Sequence, residues 1–225
     1  MRYRYHFETA TRATAKSFTA YLSGIVRAVL LPRSTVMIAS DTKGTVIKIA
    51  EAKFEEIFRH WPLLRKELAT RKDDGKTGEK HSSNYYELYF KNGSMISVVA
   101  KDSSRGLRAT AAVLEEAALI DEIPYNEVLL PQMNIKRREV DGTINPDEPS
   151  AAQTFITTSA SRTVFMYSKL IECTINAILR PREFFVWGMS YEVGLHYGLQ
   201  DKAAILDQRY SNTISEESFA RKLIA

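Results

Sequence analysis

The chain opens with a strand, a short loop and a helix in direct succession, and this order constrains the fold more than any other feature. Residues 2–9 alternate aromatic and polar side chains, which predicts a strand. Residues 14–31 carry apolar side chains at helical spacing until Pro32 ends the pattern. A second unit follows, with a predicted strand at 34–40 and a helix at 45–59. Repeated strand-helix units of this kind predict an α/β domain with a mainly parallel sheet.

A hairpin signal interrupts this alternation. Residues 85–90 and 95–100 are β-rich and flank Asn92-Gly93, a dipeptide typical of tight hairpin turns. The remaining expectations are strands at 111–114, 154–156 and 183–188, helices at 201–206 and 216–223, a solvated connection at 65–83, a turn-rich loop at 141–150, and core positions for Phe184, Phe185 and Trp187. The sequence therefore predicts a three-layer α/β domain whose mainly parallel central sheet carries an added β-hairpin.

Composition excludes several classes of protein. With 225 residues and 44% hydrophobic content, the chain can bury the core of one large domain or two small ones. The formal charge of +4 permits contact with nucleic acid, but 31 basic against 27 acidic residues is too balanced to establish it. One cysteine, Cys173, and four scattered histidines argue against a disulfide framework or a zinc site. Without a long apolar run or a signal peptide, we expect a soluble intracellular protein.

Residues 10–17 have the outline of a phosphate-binding loop. Lys16 would reach phosphate oxygens, Ser17 would ligate Mg²⁺, and backbone N–H groups at the helix start would cradle the anion. The usual pattern G-x-x-x-x-G-K-[ST] has glycines where this chain has Ala10 and Ala15, and a Cβ restricts positive φ and close backbone approach. The alternative is an ordinary alanine-rich helix start that carries one surface lysine.

Two predicted strands deliver polar residues at their ends. The run at 111–114 is followed by Glu115 and Glu116, and the run at 154–156 is followed by Thr157, Thr158 and Ser159. Ligands bind outside the carboxyl ends of strands in open α/β sheets. One carboxylate could hold Mg²⁺ through water while its neighbour polarises an attacking water, as NTP hydrolysis requires. The alternative for this acidic pair is the solvent face of an amphipathic helix.

Taken in order, these segments resemble the ATPase domain of the tailed-bacteriophage terminase large subunit. The loop has an arginine, Arg12, four residues before Lys16, as in terminase phosphate loops. An Arg-Gly element, Arg105-Gly106, precedes the acidic strand. Residues 113–121 are similar to the family's acidic motif, with glutamate where aspartate is more usual, and residues 155–160 resemble its coupling motif. The resemblance spans nearly the whole chain, through residues 214–219.

The resemblance implies a P-loop fold of the RecA/ASCE type that uses ATP and Mg²⁺. Residues 11–17 would bind the nucleotide, and Glu116 would activate water. Arg12 would sense or stabilise the γ phosphate, and Arg105 is a candidate finger for a neighbouring subunit. The implied nucleotide-binding residues are Thr11, Arg12, Ala13, Thr14, Ala15, Lys16 and Ser17; the implied metal ligands are Ser17 and Glu115; and the implied coupling residues are Thr157, Thr158 and Ser159.

The resemblance also implies partners. These are double-stranded DNA, a portal protein, the small terminase subunit and further copies in a homo-oligomeric ring, in the host bacterial cytoplasm, although the isolated chain could be monomeric. We expect residues 1–225 to form the ATPase domain alone, without the family's nuclease domain and without DNA cleavage.

The alternatives are a catalytically weakened P-loop module for DNA binding or assembly, and a helicase-like ATPase. Arg108 and the run Lys136-Arg137-Arg138 are either solvated or contact DNA phosphates, the run being more typical of a solvated helix end.

Overall fold

The computed structural model describes residues 3–40, 43–70, 77–82, 85–100, 106–158, 163–211 and 215. Its strands are β1 (Tyr5–Ala10), β2 (Thr35–Ser40), β3 (Glu79–His81), β4 (Tyr86–Tyr89), β5 (Met95–Ala100), β6 (Ala111–Glu115), β7 (Ala152–Thr157) and β8 (Phe184–Met189). Its helices are α1 (Lys16–Leu30), α2 (Lys43–His60), α3 (Pro62–Arg65), α4 (Leu130–Gln132), α5 (Val164–Leu179), α6 (Tyr191–His196) and α7 (Lys202–Tyr210). A 3₁₀ turn at Ala117–Leu119 and a π-helical segment at Pro124–Leu129 lie between β6 and α4.

The strands form one sheet in the order β3-β4-β5-β2-β6-β7-β1-β8. Every pairing from β5 to β8 is parallel, whereas β4 pairs antiparallel with both β3 and β5. The predicted parallel sheet and its hairpin are therefore confirmed. Strand β7 lies between β1 and β6, so the residues that follow these three strands meet at one edge of the sheet.

Helices cover both faces of the sheet, which confirms the three-layer prediction. Strand β2 shows how alternate side chains supply both layers. Val36 and Ile38 pack with α1 and α2 on one face, while Met37 and Ala39 pack with α5 and the helical segments after β6 on the other. All four side chains are fully buried, as expected for a strand in the centre of a parallel sheet.

Helix α5 is the largest element that the sequence pattern did not predict. Thr163 caps it by accepting a hydrogen bond from Met166 N at 3.2 Å. Its buried face is apolar, but large apolar side chains also lie on its exposed side, with Ile178 78% exposed. Because apolar side chains lie on both sides, the division into an apolar and a polar face that identifies a surface helix is blurred.

Three other expectations need correction. The segment 65–83, predicted as a solvated connection, contains β3, and Leu68 in the same segment pairs with Phe90. Phe185 was expected in the core but is 41% exposed, because β8 is the edge strand of the sheet. The helical alternative for the acidic pair is wrong, since Glu115 ends a fully buried strand. The helix predicted at 216–223 lies outside the described residues.

Among the described residues, no helix is both long enough and apolar enough to span a bilayer.

Candidate active site

The loop between β1 and α1 closes around one backbone carbonyl, that of Thr11. This oxygen accepts hydrogen bonds from Thr14 Oγ1 at 2.6 Å and from Lys16 Nζ at 3.3 Å. Thr11 N donates to Met189 O at 3.1 Å, which ties the loop to the end of β8. The loop predicted from the sequence therefore stands between a strand and a helix, as a phosphate-binding loop requires.

Two alanines of this loop adopt left-handed backbone conformations. Ala13 has φ 62° and Ala15 has φ 60°, and Ala15 directly precedes α1. Ala10, by contrast, is the last residue of β1, has no positive φ, and is fully buried. Of the two positions at which the usual motif has glycine, only Ala15 needs glycine's conformational freedom here. Ala10 therefore needs no glycine, and the sequence did not indicate the left-handed conformation of Ala13.

Lys16 is the first residue of α1, and its ammonium is buried beside the loop. Burial lowers the pKa of Lys16, and the charge of Arg12 lowers it further. Three carboxylates act in the opposite direction: those of Glu116, Glu115 and Glu8. Lys16 is therefore the cation around which the acidic side chains of the site are grouped.

Ser17 and Glu115, distant in sequence by 98 positions, are hydrogen-bonded through Ser17 Oγ and Glu115 Oε1. Glu115 is buried at the end of β6, and its Oε2 has no hydrogen-bond partner among the described residues. Tyr21, one turn after Ser17 on α1, lies beside Glu115. Burial first, and then the charge of Glu115, raise the pKa of Tyr21 well above its usual range. A hydroxyl and a free carboxylate oxygen are ligands that Mg²⁺ accepts, so the residues fit the predicted metal.

Glu116 leaves the strand in a left-handed conformation, with φ 48° and ψ 45°. Its Oε1 accepts a hydrogen bond from Thr158 Oγ1 at 3.3 Å. Thr158 directly follows β7, whose last residue, Thr157, is fully buried. The fold thus joins the predicted general base to one of the predicted coupling residues. Ser159 lies outside the described residues.

Two polar residues that sequence reasoning missed also belong to the site. Glu8 lies on β1, is 3% exposed, and has a carboxylate oxygen without a partner among the described residues. Burial raises the pKa of Glu8 to about 7, although the charge of Lys16 opposes this. Gln200, between α6 and α7, donates through Nε2 to Thr11 Oγ1 at 3.2 Å and to Arg12 O. Glu8 is the one carboxylate of β1, which was a usable signal, whereas nothing local indicated Gln200.

The predicted arginines are placed less centrally. Arg12 is exposed on the loop and acts on Lys16 through its charge. Arg105 lies outside the described residues. Arg108, three positions further on, is exposed before the start of β6, at the opposite end of that strand from Glu115. The five residues of β6 span about 16 Å, so Arg108 lies far from the carboxyl-end site of its own chain.

Proteins similar to this chain are found by structure and not by sequence. The sequence matches no protein-family model, and a search of curated proteins finds no match. The fold, however, is shared with solved phage proteins at low sequence identity.

The ATPase domain of the large terminase of Thermus phage P74-26 superposes with a TM-score of 0.65 at 13% identity, covering 99% of this chain and 88% of that domain. The large terminase of a different, thermophilic bacteriophage, solved in complex with ADP, gives 0.63 at 15% identity, covering 98% and 47%. The HK97 bacteriophage large terminase gives 0.59 at 13% identity, covering 97% and 42%. The chain thus spans less than half of the latter two proteins, and it has the fold of a phage large terminase ATPase domain.

Proposed function

We propose that this chain is the ATPase domain of a phage DNA-packaging motor, which hydrolyses ATP with Mg²⁺ and drives double-stranded DNA into a procapsid. The observation that carries the proposal is the contact between Ser17 and Glu115, with Lys16 and Glu116 beside it. The likeness to large terminases supports it, since the large terminase of the thermophilic bacteriophage has been solved with ADP and with ATP-γ-S.

Lys16 and the loop would bind the phosphates. Lys16 Nζ donates to Thr11 O, a contact that a phosphoryl oxygen would replace with a stronger, charge-assisted bond. The backbone N–H groups at the start of α1 would add donors. Arg12, exposed on the same loop, would turn toward the γ phosphate.

The charge of the site supports a dependence of ATP hydrolysis on Mg²⁺. A triphosphate that approaches Lys16 also meets Glu8, Glu115 and Glu116, so the lysine alone does not balance the negative charge. Ser17 Oγ and the free Oε2 of Glu115 would hold the ion. When bound, Mg²⁺ would neutralise charge on the phosphoryl oxygens.

Glu116 would orient the attacking water and accept its proton. Its carboxylate is half-buried and already fixed at one oxygen by Thr158, which leaves the other oxygen for the water. A change at Glu116 on hydrolysis would break or strengthen the bond from Thr158 and so displace the end of β7. Thr157 and Ser159 would pass this displacement on to the DNA-moving parts.

In the working motor, copies of the chain would form a ring with the portal protein and the small terminase subunit, in the cytoplasm of the host bacterium. Arg105 would act on the nucleotide of a neighbouring subunit.

The test is Mg²⁺-dependent ATP binding and turnover by the purified chain, with Lys16→Ala, Glu116→Gln and Lys48→Ala beside wild type. Lys48 is an exposed lysine of α2 and serves as the charge-matched control for Lys16. We expect Lys16→Ala to lose ATP binding. Glu116→Gln should bind ATP while turnover falls by a factor on the order of 10² to 10⁴, and Lys48→Ala should match wild type.

Two outcomes would contradict the proposal. Turnover by Glu116→Gln at the wild-type rate would remove Glu116 as the base. A wild-type chain that binds no ATP at millimolar concentration would instead support the alternative of a weakened module for DNA binding or assembly.

A further inference from the structure

A basic cleft lies at the end of the sheet opposite the candidate active site. It has a volume of about 640 Å³, and its basic lining residues are Arg33, Arg108, Lys136, Arg137 and Arg138. Thr35, the first residue of β2, and Thr110, just before β6, also line it, so the cleft faces the amino-terminal ends of these strands. The candidate active site lies at their carboxyl ends. None of the residues assigned to ATP lines this cleft.

Arg137 lies at the floor of the cleft and is hydrogen-bonded to the segments around it. It is 7% exposed, donates to Glu148 Oε2 through Nε at 2.7 Å and to Pro32 O through Nη1 at 3.0 Å, and approaches Glu139 at 3.4 Å. Glu148 also accepts from Arg27 of α1 at 2.7 Å. The run 136–138 is therefore not a solvated helix end, because its middle residue is buried and fixes the segment against the loop after α1.

The rim of the cleft carries cations whose charge stays available. Arg33 Nη1 donates to Glu139 O at 2.9 Å and Arg138 Nη1 to Gly142 O at 3.2 Å. These neutral carbonyls position both guanidinium groups without cancelling their charge. Arg108 and Lys136 are exposed and form no ion pair with any described residue.

The acidic groups near the rim do not balance these cations. Hydrogen bonds from Thr143 Oγ1 at 2.7 Å and Thr143 N at 2.9 Å, and then the charge of Arg33, lower the pKa of Asp141, so this carboxylate stays ionised and offsets one cation. The side chain of Glu139 faces Arg137 on the floor. The rim thus holds four cations against the one carboxylate of Asp141.

Arg33 occupies a backbone position that favours glycine. Its φ of 61° is left-handed, a conformation that is strained for a side chain other than glycine. Its N–H donates to Asn92 O at 3.3 Å, and Asn92 Nδ2 in turn donates to Ala28 O at 2.8 Å and Val29 O at 3.0 Å. The surrounding contacts therefore hold a strained residue whose side chain faces the cleft, as is common at binding sites.

We propose that this basic cleft binds the phosphate backbone of double-stranded DNA. Four of its five cations are arginines, whose planar guanidinium donates paired hydrogen bonds to phosphate oxygens. The cleft contains no aromatic anchor among its lining residues, and its apolar lining is limited to Ile135 and Ile144, which disfavours a protein partner. The choice of duplex DNA over other phosphates rests on the proposed function. ATP and DNA then bind at opposite ends of the same strands.

The test measures binding of a short fluorescein-labelled DNA duplex by anisotropy over a range of salt concentrations. The cleft variant is Lys136→Ala/Arg138→Ala. The control is Lys48→Ala/Arg59→Ala, which removes one exposed lysine and one exposed arginine from α2 and so changes the net charge equally. ATP turnover without DNA is recorded for each protein as a check on the active site.

We expect the cleft variant to bind the duplex with an affinity lower by about tenfold or more. The magnitude of the slope of log K against log salt should fall by about 2, regardless of DNA sequence. The control variant should keep the wild-type slope, and both should keep the wild-type ATP turnover without DNA.

The outcomes separate this inference from the proposed function. If wild type binds the duplex and the cleft variant shows the same slope, the cleft is not the DNA site, while the ATPase proposal stands. Duplex displacement by inorganic phosphate well beyond that by chloride of equal ionic strength would assign a free-anion site and overturn the inference. Failure of the wild-type chain to bind the duplex would also overturn the inference. If the wild-type chain binds the duplex but does not turn over ATP, only the ATPase proposal is contradicted.

Discussion

Replacing Ala10 and Ala15 separately by glycine should shift the stability of the protein in opposite directions. The motif alone treats both alanines as replacements of the usual glycines. The structure distinguishes them, since Ala15 is left-handed with φ 60° whereas Ala10 ends strand β1 and is fully buried. The two substitutions therefore test whether the loop has the geometry described here.

The expected magnitudes follow from these environments. At Ala15, glycine relieves a left-handed strain of about 1 to 2 kcal/mol. It also raises the entropy of the unfolded chain, which destabilises the folded state by about 0.4 to 1 kcal/mol, so the net stabilisation is roughly 0.5 to 1 kcal/mol. At Ala10, glycine costs about 0.5 to 1 kcal/mol in a strand and loses about 0.8 kcal/mol from one buried methyl group, a destabilisation of roughly 1.5 kcal/mol.

Thermal unfolding monitored by circular dichroism measures both effects. In a domain of this size, about 1 kcal/mol corresponds to roughly 2 to 4 °C in Tm. We therefore expect Ala15→Gly to raise Tm by about 1 to 4 °C and Ala10→Gly to lower it by about 3 to 6 °C. A higher Tm for Ala10→Gly, or a lower one for Ala15→Gly, would refute the loop geometry. Urea unfolding of the same variants checks that the midpoint moves without a change in slope.

Two further substitutions probe residues that the sequence did not identify. Burial raises the pKa of Glu8 from its ordinary 4.5 to about 7, so the folded state keeps a proton that the unfolded state releases, and the free energy of unfolding falls as pH rises through this window. In Glu8→Gln, the fall in the free energy of unfolding with pH should be smaller by up to roughly 3 kcal/mol, as measured by urea unfolding at several pH values. The same pH dependence in wild type and variant would contradict the raised pKa of Glu8. Gln200→Ala removes the hydrogen bonds to Thr11 and Arg12 and should weaken ATP binding by up to about tenfold in calorimetry. Gln208→Ala, an exposed glutamine of α7, is the control, and equal affinities in the two variants would exclude a role of Gln200 in holding the loop.

Much of the fold could be predicted because the relevant signals are local. The strand before the loop, the helix from Lys16 and the Asn92-Gly93 hairpin each follow from periodicity or turn chemistry over a few residues. Helix α5 was missed because large apolar side chains lie on its exposed side as well as on its buried side. The edge exposure of Phe185 also depends on strand order, which no local pattern encodes.

The candidate site was predicted in its members but not in its contacts. Lys16, Ser17 and Glu115 were identified from motif and order, yet only the structure brings Ser17 and Glu115 into a hydrogen bond. Glu8 lies on β1, just before the loop, and acts on Lys16 through its charge, whereas Gln200 reaches the loop from a segment near the other end of the chain. Long-range contacts of this kind follow from sheet topology and not from spacing.

The sequence by itself determined the α/β alternation, the position of the loop and the acidic pair, because each depends on residues adjacent in the chain. The tertiary structure alone decided that the acidic pair follows a buried strand, and that only one of the two motif alanines is left-handed. It also decided that basic residues from three separate segments line one cleft, represented by Arg33, Arg108 and Lys136. The physical reason is that parallel strand order sets which chain segments meet at each end of the sheet, and burial then sets the charge state of what meets there.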